Sequence, residues 1–451
     1  MASDTAAGLK PRVLVCASPA TGHTNPMITI ADELVQRGYE VSFIAGVDFR
    51  NSIEAIGARV IVPLPGISEM AMIARASVPV GVARLQFDMK EFFLDRIKER
   101  HEFLYKALEQ LREEDTARDI VIVTESFYLG THALYLGAPL PKGFINRPKI
   151  INIHAATYMT TSKDVAPFGF ALMPDATEEG RKRNKSLHEQ MINGPFKDMI
   201  EYEGKVLASL GAVDYKPAML FDTWTTSHDI TLQMCPPSLE YPMSDLHPKI
   251  RFAGAPTPRP PRNNIGVPDF WDEVNRSDKR IVTVTQGTVD QDFGHLIIPT
   301  MQALATRTDV LVVAILGKKG ATLPGNVQLP PNARATDYLP YDLILPHTSV
   351  FVLNAGYGGL IHGVVNGVPM VLAGESEDKA EVANHAEYAA IGVNLKTETP
   401  TSQQIDEAIT KILNDGSYKT RVMEIKKENE DMKAIDRLEK VVLECADVVK
   451  S

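Results

Sequence analysis

The sequence predicts an α/β chain of two doubly wound, Rossmann-like domains facing each other across a cleft. Three observations predict it. At 451 residues the chain exceeds what one hydrophobic core supports, so two domains of about 200 residues each are expected. A strand, loop, helix and strand follow one another near the start. The same alternation restarts after a proline-dense stretch beyond the midpoint.

The first unit is an apolar strand at 12–17, a loop at 18–24 and a helix expected to open at Asn25 and Pro26, since Asn caps helices and Pro suits the first helical position. Met27, Ile30, Ala31, Leu34 and Val35 share one helical face, Gly38 stops the helix, and 41–45 forms the next strand of a right-handed βαβ unit. Apolar runs at 119–124, 149–154 and 229–233 read as further buried strands of a parallel sheet, separated by helical stretches such as 90–111. The stretches 63–85 and 163–196 are irregular and rich in Met, Pro and apolar residues; they either build a small-molecule pocket or pack on the core.

The run from Ala255 to Pro268 lacks too many amide donors to lie in a sheet and is read as an interdomain linker, 255–270, closing a first domain at 1–254. Beyond it, strands at 280–285, 310–315, 350–353, 369–373 and 392–395, with a helix around 296–305, define a second domain at 271–430. Ile435, Leu438, Val442 and Cys445 form one apolar stripe on a closing helix, 431–451, expected to pack back towards the first domain.

Composition narrows the function classes. A net charge of -10 and a pI near 5.6, with no basic stripe, argue against a nucleic-acid or anionic-membrane surface. Cys16, Cys235 and Cys445 lie far apart, without metal-type spacing and in odd number, which fits a reducing compartment. No secretory signal and no long apolar run is legible, so a cytoplasmic protein without a membrane span is expected. The glycosylation-type triplets at Asn184 and Asn275 are then chance matches.

Two α/β domains, the loop Gly22-His23-Thr24-Asn25-Pro26 after the first strand, and the segment Asn354-Ala355-Gly356-Tyr357-Gly358-Gly359 after a late strand together resemble glycosyltransferase family 1. These are the UDP-glycosyltransferases of the GT-B fold, and the likeness is greatest to microbial members acting on natural products. The resemblance implies inverting transfer of a hexose, commonly glucose, from a UDP-sugar to a hydroxyl of a small aromatic or apolar acceptor such as a phenol or flavonoid. It implies a donor held by the C-terminal domain, an acceptor held by the N-terminal domain, no metal, and no cofactor beyond the co-substrate.

His23 sits where a loop leaves the carboxyl end of a strand, the edge at which open α/β sheets bind ligands. An imidazole of pKa about 6.5 suits removal of an acceptor proton; the alternative is a histidine that caps the helix. His154 shares a strand-end position and is the rival base or a wall of the acceptor pocket. Glu125, at the end of the strand 119–124, is the expected orienting carboxylate, where the family usually has aspartate; otherwise it is an exposed strand-end side chain. Gly22 is assigned to the donor side of the same loop.

Gly356, Gly358 and Gly359 open a helix after the strand 350–353, and amides at a helix start can hold a diphosphate that approaches the backbone closely. On the facing loop, Gly287 and Thr288 lie where the family uses a hydroxyl on phosphate. Asp337-Tyr338-Leu339-Pro340 resembles the stretch in which an aromatic ring stacks on uracil and the next residue's backbone reads its edge. Asn354 replaces a family histidine at the diphosphate, and His362 replaces the glutamate that holds ribose. Asp378 and Lys379 fall where an acid and Gln meet sugar hydroxyls. Asp290-Gln291-Asp292 matches a metal motif of another transferase fold but lacks its context. The departures at Asn354 and His362 motivate an alternative, a catalytically impaired nucleotide-sugar-binding or regulatory protein. A nicotinamide oxidoreductase is disfavoured because neither glycine-rich loop spells G-x-G-x-x-G.

Overall fold

The computed structural model describes residues 10–79, 81–258, 266–287 and 290–447. It contains two wholly parallel sheets. The N-terminal sheet comprises β1 (Arg12–Cys16), β2 (Val41–Gly46), β3 (Arg59–Leu64), β4 (Ile120–Glu125), β5 (Ile150–His154), β6 (Ile230–Gln233) and β7 (Ile250–Phe252), in the order β3-β2-β1-β4-β5-β6-β7. The C-terminal sheet comprises β8 (Arg280–Thr285), β9 (Val310–Ile315), β10 (Ala333–Thr336), β11 (Thr348–Leu353), β12 (Met370–Leu372) and β13 (Gly392–Asn394), in the order β10-β9-β8-β11-β12-β13.

Central strands are buried on both faces, so their sequences read as continuous apolar runs. In β1 and β4, Val13, Val15, Val121 and Val123 pack on one side, and Leu14, Cys16, Ile120 and Ile122 on the other. In β8 and β11 the same alternation puts Val282, Val284, Val350 and Val352 opposite Ile281, Phe351 and Leu353. Each sheet reverses its strand order once, between β1 and β4 in the first and between β8 and β11 in the second. Such reversals open a crevice at the carboxyl ends of the strands.

Several expectations are corrected. The first helix opens at Thr21, not Asn25, and runs to Gln36 with Pro26 inside it. The amides of His23 and Thr24 both bond to Ala20 O, and the Thr24 hydroxyl donates to Ser18 O at 2.7 Å, closing a turn ahead of the proline. The single stretch 90–111 is interrupted: a helix at Val82–Asp88 passes through a wide turn at Met89–Phe93 and a tight one at Leu94–Arg96 before Ile97–Glu114. The irregular 63–85 holds the end of β3 and the helix Glu69–Ser77, and 163–196 ends in the helix Glu178–Asn193. Asn184 is buried, its amide donating to Lys163 O and Asp175 O, and cannot present itself for glycosylation.

The chain crosses between domains twice, and the crossings touch. After β7 it passes Ala255 into the linker, whose residues 259–265 lie outside the described residues. It returns after the helix Gly416–Met432. Asn429 on that helix donates to Ala255 O at 3.0 Å and accepts from Ala255 N at 2.7 Å. The last helix, Ala434–Asp447, then buries Leu438, Val441, Val442 and Cys445 in the core of the N-terminal sheet. Elsewhere the domains meet through a buried pair, Glu240 and His385, at 3.1 Å, and through Glu381, which accepts from the amides of Gly169 and Ala171 at 2.9 and 2.8 Å. No helix among the described residues is long and apolar enough to cross a membrane.

Candidate functional site

The carboxyl ends of β1 and β4 bring His23 and Glu125 together. His23 Nδ1 lies 3.1 Å from Glu125 Oε2. Glu125 is buried and also accepts from the amides of Ser18 at 3.0 Å and Phe127 at 2.8 Å. Burial opposes its charge, but the imidazole and the two bonded groups outweigh that penalty and hold its pKa at about 2. An ionised Glu125 requires the proton on Nδ1, which leaves Nε2 as the ring's acceptor. Phe127 and Phe93 approach the ring edge-on, with centroids 5.1 and 5.8 Å away, and fix its tilt. This is the nitrogen arrangement of a general base.

A cavity of about 1620 Å³ joins this dyad to the second domain. Gly22, His23 and Glu125 line it from one side. Gly287, Asn354, Gly356, Gly358, Gly359, His362, Asp378 and Lys379 line it from the other. On the N-terminal side Leu85, Phe93, Phe127, Met159, Phe168 and Phe221 form an apolar stretch of the cavity wall, beside charged residues such as Arg84, Glu91 and Arg96.

The glycine segment divides into two roles. Gly356 caps the helix Tyr357–Asn366, and a Cβ on Gly358 would meet nothing within 4 Å, so these positions leave the helix start open to a ligand. Gly359 faces inward, where a Cβ would lie 2.7 Å from Leu353 Cδ1, so its small size serves packing on β11 rather than close approach. A Cβ on Gly22 would also meet nothing, while Gly287 takes a left-handed φ of 73° that favours glycine. Thr288 lies outside the described residues.

Other expected positions shift. Asn354 donates its amide to Gln286 O, tying the loop after β11 to the loop after β8, so only part of its donor capacity faces the cavity. Tyr338 is exposed, has Lys319 5.7 Å from its ring centroid, and is not part of the cavity wall; Leu339 is buried in the core. His154 is buried with Nδ1 2.7 Å from Ser126 Oγ and Nε2 3.1 Å from Thr157 O. Both of its nitrogens are engaged and it does not reach the cavity, so it is neither a free base nor a wall; Ile153, Ala155 and Ala156 are the wall there. Asp290 accepts from Gln286 Nε2 at 2.9 Å and lies 2.9 Å from His295 Nδ1, a loop-holding role.

The structure adds groups that sequence reasoning missed. His362 Nδ1 lies 2.9 Å from Asp342 Oδ1, and the Tyr341 ring stands edge-on to it at 5.3 Å. Asp342 and Tyr341 both line the cavity. A carboxylate two residues beyond the Asp337-Tyr338-Leu339-Pro340 stretch was the available signal. Lys379 donates to Ser376 Oγ at 2.9 Å and pairs with Glu377 at 2.7 Å. Asp378 is half-buried, and desolvation together with the adjacent Glu377 carboxylate raises its pKa to about 6.

Known proteins match this architecture. Residues 300–442 fit the family described as erythromycin biosynthesis protein CIII-like, C-terminal domain. The chain is 49% identical over 440 residues to UDP-glucosyltransferase 1 of Beauveria bassiana (strain ARSEF 2860), covering 96% of this chain and 95% of that protein. It is 36% identical to UDP-glucosyltransferase B1 of Starmerella bombicola, covering 97% and 99%. Among solved structures, the glycosyltransferase of kitacinnamycin superposes with a TM-score of 0.71 at 17% identity, covering 97% of this chain and all of that one, which speaks for the fold alone. Identity at this level along nearly the whole chain, on two facing parallel sheets, means that this chain belongs to the UDP-glycosyltransferases of glycosyltransferase family 1, natural-product type, with the GT-B fold.

Proposed function

We propose that this enzyme is an inverting, metal-independent hexosyltransferase that moves glucose from UDP-glucose to a hydroxyl of a small aromatic or otherwise apolar acceptor, such as a phenol or flavonoid. One observation carries the reading: the His23–Glu125 dyad and the open helix start at Gly356 and Gly358 line the same cavity from opposite domains. The likeness to UDP-glucosyltransferases supports the donor class, and the Phe- and Met-rich stretch of wall supports the acceptor class.

In this mechanism the acceptor lies on the apolar wall with its hydroxyl at His23 Nε2. His23 takes the proton as the oxygen attacks the anomeric carbon from the face opposite UDP, and Glu125 stabilises the imidazolium that forms. The carbon–oxygen bond to the β-phosphate breaks, and the amides at the helix start stabilise the departing diphosphate. Attack from the opposite face inverts the anomeric centre. Asp378 and Lys379 hold sugar hydroxyls, and Asp342 with His362 faces the nucleoside end. The site requires no cofactor.

The test is UDP release and product mass with UDP-glucose and a panel of phenols, with and without a chelator. Acceptor-dependent turnover that persists in chelator is expected. Tight UDP binding with no turnover would instead favour a binding protein, and loss of rate restored by a divalent ion would overturn metal independence. His23→Ala is expected to lower turnover about a hundredfold or more while leaving UDP affinity near normal. An unchanged rate would remove His23 from the mechanism.

A further inference from the structure

Arg75 is used by none of these steps, yet it spans the cleft. It lies on the helix Glu69–Ser77 of the N-terminal domain, with its side chain 15% exposed. Its Nε donates to Asp88 Oδ1 at 2.8 Å and its Nη2 to Asp88 Oδ2 at 3.0 Å, a two-point grip inside the domain. The same Nη2 donates at 2.6 Å to Glu377 Oε1 of the C-terminal domain.

Glu377 directly precedes Asp378 and holds a left-handed φ of 52°, which a residue with a side chain adopts only when its surroundings impose it. Its second oxygen pairs with Lys379 at 2.7 Å. One carboxylate therefore joins Arg75 to Lys379 by ion pairs, and the backbone of the same residue leads directly into Asp378. Asp88 already orients the guanidinium, so little side-chain freedom is lost when Arg75 engages Glu377. On the helix that carries Arg75, Ala71 and Met72 line the same cavity, so an acceptor lying on that wall touches the helix whose arginine reaches the donor loop.

We propose that Arg75 is a positioning residue: through Glu377 it holds the loop bearing Asp378 and Lys379 in its sugar-reading conformation only while the acceptor-side helix is seated against that loop, coupling donor-sugar recognition to closure of the cleft. The proposal rests on the transferase reading above. Its chemical consequence is protection of the donor, because a seated loop excludes the water that would otherwise take the glucosyl group. Without the arm, the base and the diphosphate cradle remain in place, but the sugar is read poorly and the cleft leaks.

The test compares wild type, Arg75→Met, Glu377→Gln and the double variant in three measurements: affinity for UDP and for UDP-glucose, transfer kinetics, and UDP-glucose hydrolysis without acceptor. Arg75→Met is expected to leave UDP affinity within about twofold and to raise the donor KM about tenfold with a much smaller change in kcat. It is also expected to increase the fraction of donor lost to water. Glu377→Gln, which leaves the Arg75–Asp88 pair intact and so guards against misfolding, is expected to do the same, and the double variant to be no worse than either single one. Additive effects, or an unchanged KM and hydrolysis fraction in a normally melting Glu377→Gln variant, would overturn the proposal. Absence of turnover in wild type would overturn the transferase reading instead. In that event the ratio of UDP-glucose to UDP affinity still decides the coupling, because it needs no chemistry.

Discussion

At the scale of single residues, what decides the site is which atoms are already committed. His154 ends β5 and His23 stands in the first turn of the helix that follows β1, but His154 spends both nitrogens on Ser126 and Thr157 while His23 spends one on Glu125. The same question separates the glycines. A methyl group on Gly358 enters the open space where the diphosphate is placed, so Gly358→Ala is expected to melt like wild type and bind UDP about tenfold more weakly; calorimetric titration with UDP checks it, and equal affinity would place the diphosphate elsewhere. Residue types and strand ends made His23, Glu125 and the glycine segment legible in the sequence. Asp342 and Arg75 were not, because their importance comes from neighbours far along the chain: His362 lies 20 positions and Glu377 302 positions away.

At the scale of elements, the apolar stretch of the cavity wall is supported from behind. Trp224, on the helix Leu220–Thr226, packs against Phe93, Phe127 and Phe221 with centroids 5.8 Å away in each case. Its Nε1 donates at 2.7 Å to Glu203, a fully buried carboxylate on the helix Lys197–Ser209 that also accepts from Tyr215 at 3.1 Å and, among the described residues, pairs with no cation. Burial raises the Glu203 pKa from 4.5 to about 7, only partly offset by those two bonds. The folded state therefore holds this proton more tightly than the unfolded chain. Its contribution to stability is full below pH 4.5 and is lost as pH rises to about 7, on the order of 3 kcal/mol. Glu203→Gln is expected to flatten the fall in melting temperature between those pH values, which thermal melts at several pH values would show; parallel curves would contradict it. Strands buried on both faces, such as β1, β4, β8 and β11, announced themselves as apolar runs. β3, β7 and β10 stand at sheet edges, and β7 and β10 span only Ile250–Phe252 and Ala333–Thr336, too short to make an apolar run. The interruption at Met89–Phe93 was invisible because the apolar pattern continues through it.

At the scale of the whole molecule, division into two sheets was readable from the proline-dense stretch and from the restart of βα alternation, whereas the manner in which the halves are joined was not. Asn429 satisfies both the buried amide and the buried carbonyl of Ala255. Asn429→Ala leaves both unpaired and is expected to cost about 2 kcal/mol, read as a lower denaturation midpoint; a variant as stable as wild type would assign that junction no weight. Gly254 is part of the same join, since a Cβ there would come within 3.0 Å of Met432 Cβ.

Two peptide crossings stitched side by side act as one pivot rather than as two separate tethers. A swing of one half against the other would therefore keep a common axis at Ala255 and Asn429, and would carry His23 and the helix start at Gly356 apart and together along a single arc. Each turnover can return them to the same register without a search through relative orientations.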